Sequence, residues 1–137
     1  MDLIRRNTDY AVRAMVYLTK NRRKEPVSSR QISNDQNISY ELVCKLLQKL
    51  QKNKLVKSSM GPKGGFLLGR EPSKINLLEI IEAIQGPVSL NRCQLPVNGC
   101  PLKKNCPVGK ELKKVQSNIN KQLKKLTLSG FIREKHK

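Results

Sequence analysis

Along the first twenty residues, Ala11, Ala14, Met15 and Leu18 recur at intervals of three and four, the repeat of one helix face. Thr8 can cap such a helix and Asp9 favours its first turn, so the pattern predicts a helix from about Thr8 to Lys20. Basic residues 22–24 and Pro26 end it. A second, short helix is expected after Ser28 or Ser29, through Ile32 to about Asp35. Asn37-Ile38 forms a turn, and Ser39 opens a third helix reaching about Lys52. On that third helix Leu42, Val43, Leu46, Leu47 and Leu50 form one apolar stripe, while Glu41, Cys44, Lys45, Gln48 and Lys52 share the opposite face. Two helices joined tightly behind a leading helix have the layout of a helix-turn-helix.

The period then changes. Leu55 to Met60 and Phe66 to Leu68 read as two strands around Gly61-Pro62-Lys63-Gly64-Gly65, a hairpin tip with the dihedral freedom such turns require. A hairpin directly after a recognition helix is the wing of a winged helix, and its lysine suits phosphate or minor-groove contact. Leu77, Leu78, Ile80, Ile81 and Ile84 build a short helix that Gly86-Pro87 stops. After a cysteine- and proline-rich loop from Cys93 to Pro107, a long helix is predicted from about Val108 to Leu128. Its Val108, Leu112, Val115, Ile119, Gln122 and Leu126 alternate steps of four and three, a short heptad seam suited to a dimer. The expected fold is mainly α with a small β-hairpin. A winged helix-turn-helix DNA-binding domain occupies residues 1–73, and residues 74–137 hold the short helix, the cysteine loop and a long C-terminal dimerisation helix.

Charge sharpens this picture. The 137 residues carry 28 Lys and Arg against 10 Asp and Glu, a formal net charge of +18, which points to a polyanionic partner. The excess is spread over both halves rather than gathered in a tail. No apolar run approaches the ~20 residues of a membrane span. The start, MDLIRRNTDY, lacks the apolar stretch of a secretory signal, which predicts a cytoplasmic protein. A single histidine, His136, and the absence of any paired acid and base leave nothing for an enzyme reading.

In a reducing compartment four cysteines favour metal binding or redox chemistry over structural disulfides. Cys93, Cys100 and Cys106 fall on one loop that Pro96, Pro101 and Pro107 stiffen, and Arg92, Lys103 and Lys104 offset the charge of a thiolate cluster. Three readings stay open from spacing alone: an iron–sulfur cluster with a fourth ligand from elsewhere, a zinc site lacking the usual C-x-x-C pairs, and a metal-free thiol switch. Cys44 belongs elsewhere, as a small side chain on the outward face of the third helix.

Several segments together resemble the Rrf-two family of bacterial winged-helix regulators over essentially the whole chain. They are Thr8-Asp9-Tyr10-Ala11-Val12-Arg13-Ala14-Met15, Ile38-Ser39-Tyr40 with Leu46, Leu50 and Leu55-Val56, the wing Gly61-Pro62-Lys63-Gly64-Gly65-Phe66-Leu67-Leu68-Gly69, and the triple cysteine. The resemblance implies a homodimer that binds double-stranded DNA at a palindromic promoter site. It also implies an iron–sulfur cluster on Cys93, Cys100 and Cys106. The iron–sulfur regulator subfamily places a histidine where this chain has Gly109, whereas the nitric-oxide-sensing subfamily uses a first-helix aspartate that matches Asp9. Asp9 is therefore the candidate fourth ligand, and an aspartate leans toward a [4Fe–4S] cluster, with [2Fe–2S] the alternative. Two features depart from the family pattern. The first cysteine gap is one residue longer than usual, and Met60 stands where a minor-groove arginine is expected.

Tyr40, Glu41, Cys44, Lys45 and Gln48 are the expected base readers, with Ser39, Lys49, Lys52, Pro62 and Lys63 on the DNA backbone. Two rival functions remain: a cluster-free winged-helix regulator with a cysteine thiol switch, and a metal- or cluster-trafficking protein whose basic surface meets an acidic partner.

Overall fold

The computed structural model describes residues 2–22, 25–91, 94 and 105–132. Helices α1 (Arg6–Lys20), α2 (Ser29–Gln36) and α3 (Tyr40–Lys52) precede a hairpin of β1 (Val56–Ser59) and β2 (Gly65–Leu68). A single 3₁₀ turn at Pro72–Lys74 leads into α4 (Leu77–Gln85), followed by α5 (Pro107–Lys125) and α6 (Leu128–Ile132). The arrangement is the expected one, mainly helical with one antiparallel two-stranded wing.

Local chemistry accounts for most boundaries. Ser28 caps α2 by accepting the Gln31 N–H at 3.0 Å, and Ser39 caps α3 by accepting that of Leu42 at 3.2 Å. Asn37 ends α2 in the left-handed region at φ 56°, which asparagine tolerates. Asn76 and Glu79 form a reciprocal capping box on α4. The start of α1 differs from expectation. Arg5 is its N-cap without a side-chain bond, and Thr8 lies inside the first turn, fully buried. There its hydroxyl donates to Gln85 Oε1 at 2.6 Å, so a long-range partner takes the group that sequence assigns to capping.

One apolar core gathers Ala11, Met15 and Leu18 of α1, Ile32 of α2, Leu46, Leu47 and Leu50 of α3, and Ile80 and Ile84 of α4. It therefore runs across the boundary expected at residues 73 and 74. On its other side α4 presents Leu77, Leu78 and Ile81, which pack with Val88 and against Leu123 of α5. The wing is stitched to this body twice. Val27 and Phe66 exchange backbone hydrogen bonds of 3.0 and 2.7 Å, and Gln51 Nε2 donates to Ser58 Oγ at 3.2 Å.

The end of α5 differs from expectation. A helix to Leu128 is expected, but α5 stops at Lys125 and Leu126 turns extended (φ −88°, ψ 105°). Leu126 accepts the Leu77 N–H at 2.8 Å, and Leu128 donates its N–H to Ile75 at 3.0 Å. The break lets Leu128 enter the main core, where it is completely buried. Removing that side chain from water stabilises the fold by about 1.5–3 kcal/mol.

Candidate nucleic-acid interface and cysteine site

The apolar stripe of α3 faces inward as expected, with Val43, Leu46, Leu47 and Leu50 buried. That orientation leaves Glu41, Lys45, Gln48 and Lys52 exposed in one row, with Cys44 half-buried at its edge. Ser39 and Tyr40 stand exposed at the helix start, with the Ser39 hydroxyl occupied as cap acceptor. The wing tip carries exposed Pro62 and Lys63 on a turn closed by Gly64 N–H donating to the Gly61 carbonyl at 2.9 Å. Gly61 sits at φ 106°, a conformation that requires glycine. Met60 is 91% exposed beside the tip, so a large apolar side chain stands in water next to the lysine.

Lys49 stands apart from this row. Its ammonium donates to the Ile84 carbonyl at 3.3 Å, near the C-terminal end of α4, where a cation suits the helix dipole. Arg13 does the same for α2, donating to the Gln36 carbonyl. Neither tie has a signal in sequence. Nor does Arg30 of α2, whose guanidinium carbon lies 4.2 Å from the centroid of the Tyr40 ring.

At the same end of α4, Gln85 acts as a clamp on the start of α1. Its Oε1 accepts the Arg5 N–H at 3.0 Å as well as the Thr8 hydroxyl, and its Nε2 donates to the Leu3 carbonyl at 2.9 Å. Asp9 is the exposed neighbour of Thr8 in that clamped turn.

Of the three loop cysteines, Cys93 and Cys100 lie outside the described residues. Cys106 is the N-cap of α5, half-buried, and its Sγ accepts the Gly109 N–H at 3.4 Å. A Cβ placed on Gly109 would lie 3.8 Å from that sulfur, so a side chain at this position would begin beside the thiol. Gln94 Nε2 donates to the Gly109 carbonyl at 3.3 Å. Among the described residues no three His, Cys, Asp or Glu side chains converge on one point.

The heptad seam of α5 is largely uncovered. Val108 is 63% exposed, Val115 and Gln122 are exposed, and Leu112 and Ile119 are half-buried. The helix meets its own fold through a different side, Gln116 and Leu123. Among the described residues no helix is long and apolar enough to cross a membrane.

A family model described as Rrf2, iron-dependent transcriptional regulator, matches residues 4–134. The chain belongs to the Rrf2 family. Among its Rrf2 relatives is the HTH-type transcriptional regulator IscR of Xenorhabdus nematophila, 41% identical over 85 residues, which are 62% of this chain and 52% of that protein. IscR of Escherichia coli O1:K1 is 42% identical over a stretch of the same size and coverage. The chain thus spans about half the length of the curated relatives it matches. Solved structures share its fold over nearly its whole length, two of them at 29% identity. CymR, the global cysteine regulator of B. subtilis, superposes with a TM-score of 0.79 at 29% identity, covering 96% of both chains. IscR of T. potens gives 0.75 at 29% identity, covering 94% of this chain and 85% of its own. These relatives are transcriptional regulators and not enzymes.

Proposed function

We propose that this Rrf2 protein is a dimeric DNA-binding transcriptional regulator. Its grip on a palindromic promoter site is set by an iron–sulfur cluster held by Cys93, Cys100 and Cys106, with Asp9 as fourth ligand. One juxtaposition carries the DNA-binding reading: the exposed row Glu41, Lys45, Gln48 and Lys52 of α3 and the lysine-tipped wing belong to one stitched body. A recognition helix in the major groove with the wing beside it uses both at once, and Lys45, Lys52 and Lys63 then displace counterions from phosphates. The uncovered seam of α5 supports pairing of two copies, which would bury Val108, Leu112, Val115 and Ile119 against their equivalents.

The donor set fits the cluster. Three thiols and a carboxylate supply four ligands, and the Gly109 N–H donates to Cys106 Sγ as amides do around cluster sulfur. When bound, a cluster of either the [4Fe–4S] or the [2Fe–2S] type supplies a centre responsive to redox state, iron or nitric oxide. The chain's own residues give that response a route to DNA. Movement of Asp9 shifts the first turn of α1, which Thr8 ties to Gln85 at the end of α4. The adjoining Ile84 carbonyl holds Lys49, so α3 is anchored to the same helix end. Coupling of this kind amounts to about 1–3 kcal/mol, or roughly 5–150-fold in affinity.

The test is anaerobic reconstitution with iron and sulfide, followed by duplex binding of both forms to an operator selected from random sequence. The reading expects visible charge-transfer absorption, bound iron and sulfide, and at least about fivefold different affinities. Cys106→Ala should abolish stable binding of the cluster, and Asp9→Ala should leave it labile. Protein that takes up no iron but switches on thiol oxidation would replace the cluster with a cysteine pair. Equal operator affinity of the two forms would end the regulatory reading. Binding to duplex DNA without steep salt dependence would favour a trafficking role.

A further inference from the structure

Arg30 and Tyr40 come from the two helices of the helix-turn-helix, and each lies at its helix's beginning. We propose that Arg30 is a phosphate clamp at the DNA interface and that Tyr40 is its positioning residue rather than a base reader. The inference rests on the DNA-binding reading above and adds to it a contact that the solvent row of α3 does not contain.

Three observations carry it. The Arg30 guanidinium stacks over the Tyr40 ring, 4.2 Å from its centroid. Stacking fixes the plane of the guanidinium while leaving its in-plane N–H groups to point sideways, the fork that matches two oxygens of a phosphate. It also covers one face of the ring, so that face is closed to a base. Second, Arg30 and Tyr40 both remain exposed, Tyr40 by 40%. Third, Arg30 lies in the first turn of α2, which carries no acidic residue. A cation there opposes the positive end of the helix dipole, an arrangement that an anion bound at the same place would reverse. In helix-turn-helix docking the first helix of the pair crosses the DNA backbone while the second enters the groove. Arg30 is on that first helix, and Tyr40 opens the second, where base contacts begin.

The experiment measures Kd against salt concentration on two duplexes of equal length, an operator selected from a random pool and a random sequence. For Arg30→Ala, binding should weaken by about tenfold on both duplexes, and the magnitude of the log–log salt slope should fall by about 0.9 for each phosphate released. Arg30→Gln supplies the same readout if the alanine variant folds poorly. Tyr40→Ala should reproduce the loss of slope, Tyr40→Phe should retain wild-type slope and sequence preference, and the Arg30→Ala/Tyr40→Ala double variant should be no worse than Arg30→Ala alone. An unchanged slope in both Arg30 variants overturns the clamp while leaving the DNA-binding reading intact. Altered sequence preference in Tyr40→Phe returns Tyr40 to base reading and overturns its positioning role. Wild-type protein without salt-dependent duplex binding removes both the reading and the clamp.

Discussion

Tyr17 on α1 donates its phenolic hydrogen to the carboxylate of Asp35 on α2, and Gln31 Nε2 donates to the same phenolic oxygen at 3.0 Å. Burial pushes the Tyr17 phenol above its ordinary pKa, and the bond to Asp35 raises it further. The proton is thus held more tightly in the folded chain. The tie is complete below the usual tyrosine value of about 10 and is lost as pH rises through the higher folded value. Tyr17→Phe should cost roughly 0.5–1 kcal/mol at neutral pH and remove this part of the alkaline loss of stability. Denaturant unfolding of both proteins from neutral to strongly alkaline pH checks the sign.

Gln116 is the buried polar group of α5. Its Oε1 accepts the Leu90 N–H at 2.7 Å, and its Nε2 donates to Asn120 Oδ1 at 3.1 Å. Gln116→Leu leaves the Leu90 amide without its partner and should cost about 1–3 kcal/mol. Gln116→Glu keeps the acceptor and should recover part of that loss. Thermal melts of the three proteins give the order.

A methyl group at Gly65 would meet the Val27 carbonyl oxygen at 2.5 Å, in backbone that cannot yield cheaply. Gly65→Ala should therefore destabilise by about 1–3 kcal/mol and break the Val27–Phe66 pairing. Faster amide exchange at Phe66 than at Leu68 reports the local part of the damage.

If the α5 seam joins two copies, Val115→Asp puts a charge at its centre and should produce monomers that retain their helix content. Sedimentation and circular dichroism together test this, and a variant that remains a dimer would place the interface elsewhere.

What could be read from sequence was what local chemistry decides. Ser28, Ser39 and Gly61-Pro62-Lys63-Gly64 each act within a few residues of themselves, so caps and wing turn were legible. The same holds for the inward stripe of α3, which periodicity alone dictates. The misread positions are those whose partners are far along the chain. Thr8 looks like a cap until Gln85 arrives, and Leu126 continues a heptad until Leu128 is drawn to Ile75. Lys49, expected on the DNA backbone, also gives its ammonium to a carbonyl 35 residues away. Arg30 gave no signal because its partner is a ring presented by another helix.

The late entry of Leu128 into the core sets an order on synthesis. Until that residue has left the ribosome, the core around α1 lacks a side chain that the folded protein buries completely, although everything needed for α3 and the wing has already emerged. A nascent chain halted at residue 125 would carry a complete recognition surface on a core that still lacks its last buried side chain. Proteases and chaperones would meet that species before any promoter did.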